Sequence, residues 1–139
     1  KPGGATCGVL VTTTEGKFLL DCGGGVLPKF FEHANLTEQF QGALLSHLHY
    51  DHMGDIGCLY YAVNHSLRVG NRTTKPQIYA PATPESMWTV VQYPFCQTHV
   101  LEDGMKKGDK FQVCSRMVLK KSTLLEWIEI IENGPQKAT

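Results

Sequence analysis

Short apolar runs alternate with glycine-rich turns over the first part of the chain. Residues 7–13 are rich in Val and Thr, and after a Glu-Gly-Lys turn a second apolar run follows at 18–20. Such runs on either side of a turn predict a β-hairpin. Residues 21–25, Asp-Cys-Gly-Gly-Gly, then break the second strand and suit a tight turn where backbones approach closely. Apolar residues at helical spacing between Val26 and Ala34 predict a short helix next.

Predicted strands and helices continue to alternate up to residue 114. Residues 42–46 form a short apolar run after a polar loop, which predicts a buried strand. From about Asp55 to Val69, apolar residues fall on one stripe at 3.6 residues per turn, which predicts a second helix. The remaining predicted elements are a strand at 77–80, a helix with Thr83 as N-cap and Pro84 at its first position, and strands at 98–101 and 111–114.

The final segment carries a separate helical pattern. Thr123-x-x-Glu126 resembles a capping box, apolar residues then recur at helical spacing, and Gly134-Pro135 ends the run. We therefore predict an α/β unit over residues 1–114 and a C-terminal helix of uncertain relation within 115–139.

Composition narrows the class of protein but not its substrate. The 139 residues suffice for one domain, and 13 basic residues balance 13 acidic ones. A net charge of zero gives no indication of a nucleic-acid partner, although a local basic patch remains compatible with it. Five cysteines, an odd number without a C-x-x-C pair, favour reduced thiols and a cytoplasmic protein. The apolar runs are too short for a membrane span, and we see no targeting peptide.

Metal-binding side chains are concentrated in residues 46–55, Ser-His-Leu-His-Tyr-Asp-His-Met-Gly-Asp. Imidazole and carboxylate groups suit zinc, manganese or iron. His47 and His49 lie two residues apart, so an extended backbone points both to one side, where they can share a metal. Asp51 and His52 are adjacent, and the turn into the following helix can aim them at a second metal. A single histidine is usually an ordinary surface or core residue, but the whole pattern after a buried strand favours a metal site.

Two metals roughly 3.5–4 Å apart would hold a bridging hydroxide as nucleophile. Coordination lowers the pKa of bound water towards ~7, so hydroxide would be available at neutral pH. Asp51 is the only acid among the four predicted ligands. It is the predicted catalytic residue, because its carboxylate could accept a proton from that water.

The His-x-His-x-Asp-His run at 47–52 resembles the signature of the metallo-β-lactamase superfamily. Residues 18–23, Phe-Leu-Leu-Asp-Cys-Gly, resemble the strand-Asp-x-Gly element that precedes the signature, and residues 43–46 resemble the strand leading into it. Segments 99–104 and 108–111 resemble the later hairpin region of the ribonuclease Z-like and small metal-dependent hydrolase branch.

This resemblance covers roughly residues 3–114 and implies an αββα sandwich, of which only about half is expected here. Nothing beyond Cys114 resembles the second half of the family's fold. The resemblance also implies zinc as cofactor, two ions in a complete site, with manganese or iron possible. The first two histidines of the run would bind one metal, and the adjacent aspartate and histidine the other.

Several residues around the signature keep alternative interpretations. The resemblance makes Asp21 a residue that orients a metal ligand, but a turn residue capping its own backbone is the alternative. The family adds further ligands after the hairpin region, whereas no histidine follows His99 here. We expect His33 and His65 at the surface and His99 in a hairpin or on a strand face. Cys22 could be a soft ligand, but a small buried hydrophobe is its commoner role.

Three functions compete at this point. The first is a metal-dependent hydrolase that uses a metal-bound hydroxide on an ester or phosphodiester, with a small molecule as the favoured substrate. The second is a truncated, non-catalytic half-domain that pairs with another chain or with a second copy. The third is a ribonuclease Z-like endonuclease, which would need a basic surface that the balanced charge does not indicate.

Overall fold

The computed structural model describes residues 3–101, 106–107 and 111–112. Strands and helices alternate along most of this part of the chain. In chain order they are β1 Val9–Thr13, β2 Gly16–Leu20, α1 Val26–Phe31, β3 Phe40–Leu44, α2 Tyr50–Met53, α3 Ile56–Arg68, β4 Gln77–Ala80, α4 Glu85–Val91, β5 Gln97–Val100, β6 Lys106–Lys107 and β7 Phe111–Gln112.

Strands β1 to β5 form one mixed sheet in the order β1-β2-β3-β4-β5. The predicted hairpin is confirmed, because β1 and β2 pair antiparallel around a tight turn. Strands β2, β3, β4 and β5 are parallel neighbours, so each connection must cross from one end of the sheet to the other. Helices α1, α2 with α3, and α4 make these crossings. The short strands β6 and β7 pair antiparallel in a separate ribbon.

The main apolar core lies between the sheet and its helices. Leu19, Ala43 and Ile78 occupy matching positions in β2, β3 and β4 and belong to this core, together with apolar residues of helices α1 to α4. Successive strand residues point to opposite faces, so the neighbours Leu20 and Leu44 point away from it, and both are buried as well. A sheet that is apolar on both faces agrees with a layered α/β fold.

The predicted elements are largely confirmed, with shifted boundaries. The strand predicted at 42–46 begins earlier, at Phe40, and the helix predicted from about residue 55 to 69 is α3. The predicted cap at Thr83 is wrong: α4 begins at Glu85, because Pro84 is extended with ψ 147° and serves as the N-cap. The strand predicted at 111–114 is seen at Phe111–Gln112. The helix predicted within 115–139 lies outside the described residues.

Among the described residues, no helix has both the length and the apolar character needed to cross a membrane.

Candidate metal centre

The site lies at the carboxyl ends of the parallel strands β2 and β3. Asp21 directly follows β2, and residues 45–49 run from β3 to α2. Helix α2 is a single turn that carries Asp51 and His52. Crevices beyond the carboxyl ends of parallel strands are the usual place for binding sites in α/β sheets, because loops from neighbouring strands meet there.

His47, His49 and Asp51 present their ligand atoms together. One imidazole nitrogen from each histidine and one carboxylate oxygen lie within 4.8 Å of one another. The two imidazole rings meet edge to face, with centroids 4.7 Å apart. His47 is half-buried, whereas His49 and Asp51 are exposed. The sequence analysis grouped Asp51 with His52 alone. In the structure Asp51 lies with His47 and His49 as well as beside His52.

His52 is held in one orientation by the chain itself. Its Nδ1 lies 2.7 Å from Asp21 Oδ2, and its Nε2 lies 3.5 Å from Asp51 Oδ2. A carboxylate accepts a hydrogen bond from Nδ1–H, so the Nε2 lone pair is left for a cation. His52 is only 7% exposed, so the Asp21 carboxylate also supplies the polar partner that a buried imidazole requires.

Asp21 accepts hydrogen bonds from three groups. The Ser46 backbone N–H lies 2.7 Å from Oδ1, the Ser46 hydroxyl lies 2.9 Å from each carboxylate oxygen, and His52 completes the set. Asp21 has a positive φ of 58°, a conformation that Asp tolerates better than most residues. Its carboxylate therefore contacts a predicted ligand, as the resemblance implied, and it is not used to cap its own turn.

Ser46 connects two of the imidazoles. Its hydroxyl lies 3.1 Å from His47 Nδ1 and 3.3 Å from His52 Nδ1. Because the hydroxyl hydrogen is donated to Asp21, the oxygen is available to accept from His47 Nδ1–H. The arrangement favours a tautomer of His47 in which Nε2 carries the free lone pair. No role for Ser46 was predicted, although its position directly before His47 was the available signal.

The environment of His47 disfavours its positive charge. Burial lowers the pKa of the His47 imidazole, and the His52 ring, with its centroid 3.8 Å away, lowers it further. A neutral imidazole is the form that binds a cation.

Cys7 lies beside these residues, and the sequence analysis did not predict it there. Its sulfur, an Asp51 carboxylate oxygen and a His52 ring nitrogen lie within 4.8 Å of one another. The close approach depends on Gly23, where a Cβ would lie 1.9 Å from the Asp51 carbonyl oxygen. Cys7 stands 40 residues or more from the signature in sequence, so no local pattern could reveal it.

The remaining candidates lie elsewhere. Cys22 is fully buried in the apolar core, and burial raises its pKa from 9.0 to about 12, which confirms the interpretation as a small hydrophobe. His33 and His65 are exposed, as predicted. His99 lies on β5, where it stacks on Tyr79 with ring centroids 4.8 Å apart, and so occupies the predicted strand face.

The residues present fit a divalent metal. Two imidazole nitrogens and a carboxylate oxygen form a donor set that suits zinc, manganese or iron, and nitrogen, oxygen and sulfur in the neighbouring set suit zinc. Asp51 belongs to both sets, so its carboxylate is placed where it could serve two ions.

The sequence of the chain is similar to those of known proteins. Residues 6–118 match the family model described as "Anti-Pycsar protein Apyc1". A probable metallo-hydrolase of Bacillus subtilis (strain 168), YhfI, is 41% identical over 58 residues, which are 42% of this chain and 23% of that protein.

Solved structures extend the likeness to most of the chain. The crystal structure of YhfI, a metallo-β-lactamase fold protein from Bacillus subtilis, matches with a TM-score of 0.74 and 25% identity over 82% of this chain and 47% of that one. The short form of human tRNase Z matches with a TM-score of 0.54 and 19% identity over 80% of this chain and 43% of that one. The chain thus spans less than half the length of these relatives. It has the metallo-β-lactamase fold over this part and belongs to the family described as Anti-Pycsar protein Apyc1 within the metallo-β-lactamase superfamily.

Proposed function

We propose that this chain carries the metal centre of a metal-dependent hydrolase that acts on an ester or a phosphodiester. One observation carries the proposal: ligand atoms of His47, His49 and Asp51 converge within 4.8 Å at the carboxyl end of the sheet. The relative named as a probable metallo-hydrolase supports the general class of reaction.

The roles of the individual residues follow from their contacts. His47, His49, Asp51 and His52 would hold the cations, with zinc as the proposed ion. A bound cation supplies Lewis-acid chemistry, because it polarises the scissile group and acidifies water. Asp51 is the proposed proton acceptor, since its side chain is 58% exposed and can meet water.

Asp21 and Ser46 would act through the histidines. Asp21 fixes His52 with Nε2 facing Asp51, and the Ser46 hydroxyl fixes the ring of His47. Such contacts keep imidazoles from rotating and hold their tautomers, which is what a metal ligand needs. Both residues are therefore proposed as positioning residues.

A small substrate is favoured over RNA. The balanced charge offers no excess of basic residues for a phosphate backbone, and the likeness to tRNase Z shows only the fold. The cytoplasmic location suggested by the cysteines stays a prediction, as does the division of the chain at residue 114.

The test is hydrolysis of a chromogenic phosphodiester and a matching carboxylic ester by the purified chain with added zinc or manganese. We expect turnover above that of the metal ions alone, and a loss of about a hundredfold or more in Asp51→Asn. Glu85→Gln, an exposed carboxylate on α4, is the matched control and should keep full activity.

Two results would contradict the proposal, and a third would change its proposed substrate. An inactive chain that forms a concentration-dependent dimer would instead support the half-domain that pairs with another chain. Equal activity in Asp51→Asn and the wild-type chain would remove Asp51 from the chemistry. Selective cleavage of a short RNA, with both small substrates untouched, would favour the nuclease.

A further inference from the structure

We propose that Cys7 supplies a thiolate ligand to the metal centre and forms, with Asp51 and His52, a second cation position of mixed sulfur, oxygen and nitrogen character. The proposal rests on the function proposed above, because it assigns a further ligand to the same centre. Its basis is the convergence of the Cys7 sulfur with one atom from each of the other two side chains within 4.8 Å.

The backbone fixes Cys7 in this place. Its N–H donates a hydrogen bond of 3.0 Å to the Asp51 carbonyl oxygen, and its own carbonyl accepts one of 2.9 Å from Gly23. The preceding Thr6 donates from both its N–H and its hydroxyl to the carbonyl oxygen of Gly24, at 2.9 and 3.2 Å. Hydrogen bonds therefore join the segment before β1 to both the β2–α1 turn and helix α2.

The site around Cys7 is built as a close backbone contact between these segments. At Gly23 a Cβ would meet the Asp51 carbonyl oxygen at 1.9 Å and the Thr6 hydroxyl oxygen at 2.1 Å. The Cys22 N–H also donates a hydrogen bond of 2.7 Å to the His52 carbonyl oxygen, so the β2–α1 turn fixes the backbone of α2 at His52 as well. The β2–α1 turn thus holds the segment of Cys7 against α2, so that the Cys7 sulfur lies close to the Asp51 oxygen and the His52 nitrogen, both of which belong to α2.

Among the described cysteines, only Cys7 belongs to a group of potential metal ligands. Cys22 is enclosed in the apolar core, and Cys58 is exposed on α3 outside either group. Thiolate is a strong ligand for zinc and cadmium, whereas carboxylate and imidazole alone also admit manganese. Binding forms a metal–sulfur bond and releases the thiol proton to solvent. A thiolate in the second position would therefore shift the centre's preference from manganese towards softer ions.

Cobalt absorption spectroscopy tests this directly. A thiolate bound to Co²⁺ gives an intense near-ultraviolet charge-transfer band, whereas oxygen and nitrogen ligands give only weak visible bands. We expect the charge-transfer band in the wild-type chain and in Cys58→Ser, and its loss in Cys7→Ser. The affinity for the second cobalt ion should fall by at least about tenfold in Cys7→Ser.

A second measurement on the unsubstituted chain avoids dependence on the folding of Cys7→Ser. Alkylation by iodoacetamide is followed at each cysteine by peptide mass mapping, with and without zinc. We expect zinc to protect Cys7 by at least about tenfold and to leave the rate at Cys58 unchanged, because a metal-bound thiolate is shielded from the reagent.

The outcomes separate the two proposals. Visible cobalt bands without a charge-transfer band would overturn the assignment of Cys7 while leaving the metal centre intact. Persistence of the charge-transfer band in Cys7→Ser, or equal alkylation of Cys7 with and without zinc, would do the same. If no cobalt binds to the wild-type chain, the proposed function itself fails.

Discussion

The contact between Asp21 and His52 offers the most informative single substitution. Asp21→Asn preserves side-chain size, and Asn tolerates the positive φ of 58° at this position. The backbone should therefore stay in place while the acceptor capacity changes. The Asn carbonyl oxygen can still accept from the Ser46 N–H, as Asp21 Oδ1 does at 2.7 Å. Its amide nitrogen would then face His52 Nδ1, where Asp21 Oδ2 now accepts at 2.7 Å.

The expected losses of stability and of zinc affinity follow from this single exchange of a hydrogen-bond acceptor for a donor. One charge-assisted hydrogen bond to a buried imidazole is lost, which costs about 1.5–3 kcal/mol of stability. To accept from the new amide, His52 must carry its proton on Nε2, and that removes the lone pair facing Asp51. Loss of a carboxylate behind a metal-bound histidine weakens metal affinity by about 10–100-fold. We expect zinc affinity to fall by this factor in Asp21→Asn.

The assay is competition for zinc against a chromophoric chelator, with urea unfolding of the metal-free chain measured in parallel. Asp55→Asn is the matched control: Asp55 Oδ2 accepts from Leu27 N–H at 2.9 Å, which an Asn carbonyl can replace. It should bind zinc as the wild-type chain does. Wild-type affinity in Asp21→Asn, or an equal loss in both variants, would refute the role given to this carboxylate.

Three further expectations concern packing and thiol chemistry. Gly23→Ala should destabilise the chain by more than about 3 kcal/mol in urea unfolding, because its Cβ would lie 1.9 Å from the Asp51 carbonyl; a stable variant would contradict the close approach. Burial raises the pKa of the Cys22 thiol from 9.0 to about 12, so Cys22 should resist a thiol reagent in the folded chain while Cys58 reacts. Between these two values only the thiol of the unfolded chain ionises, and the contribution of Cys22 to stability should therefore fall as pH rises above 9.0. Tyr60→Phe should cost about 1–2 kcal/mol in the same unfolding assay, because the hydroxyl donates to the carbonyl of the last residue of α4 at 2.5 Å; no change would show that water replaces it.

The sequence predicts those elements of the fold that carry a strong local pattern. Apolar periodicity located α3, and the paired apolar runs located the first hairpin, because each element carries its own burial pattern. Strand order was not accessible in this way, since it depends on which strands pair across the sheet. The start of α4 was misplaced because Thr83-Pro84 fits a common capping pattern, whereas the extended backbone at Pro84 moves the start to Glu85.

For the site, the signature predicted the ligand segment but not its surroundings. His47, His49, Asp51 and His52 lie within six residues, so spacing alone suggested that they converge. Cys7 comes from a different segment, and only the packing of backbones around the β2–α1 turn brings it to the same place. The sharing of Asp51 between two groups of ligands likewise depends on the single turn of α2, which the sequence pattern did not separate from α3.

The most direct test of the account is the metal content of the purified chain after incubation with zinc and removal of unbound metal. We predict that the wild-type chain retains zinc, that His47→Ala combined with His49→Ala loses most of it, and that His65→Ala, an exposed histidine on α3, retains it fully. A wild-type chain that holds no zinc, or a double variant that holds as much as His65→Ala, would contradict the convergence of these side chains on a metal.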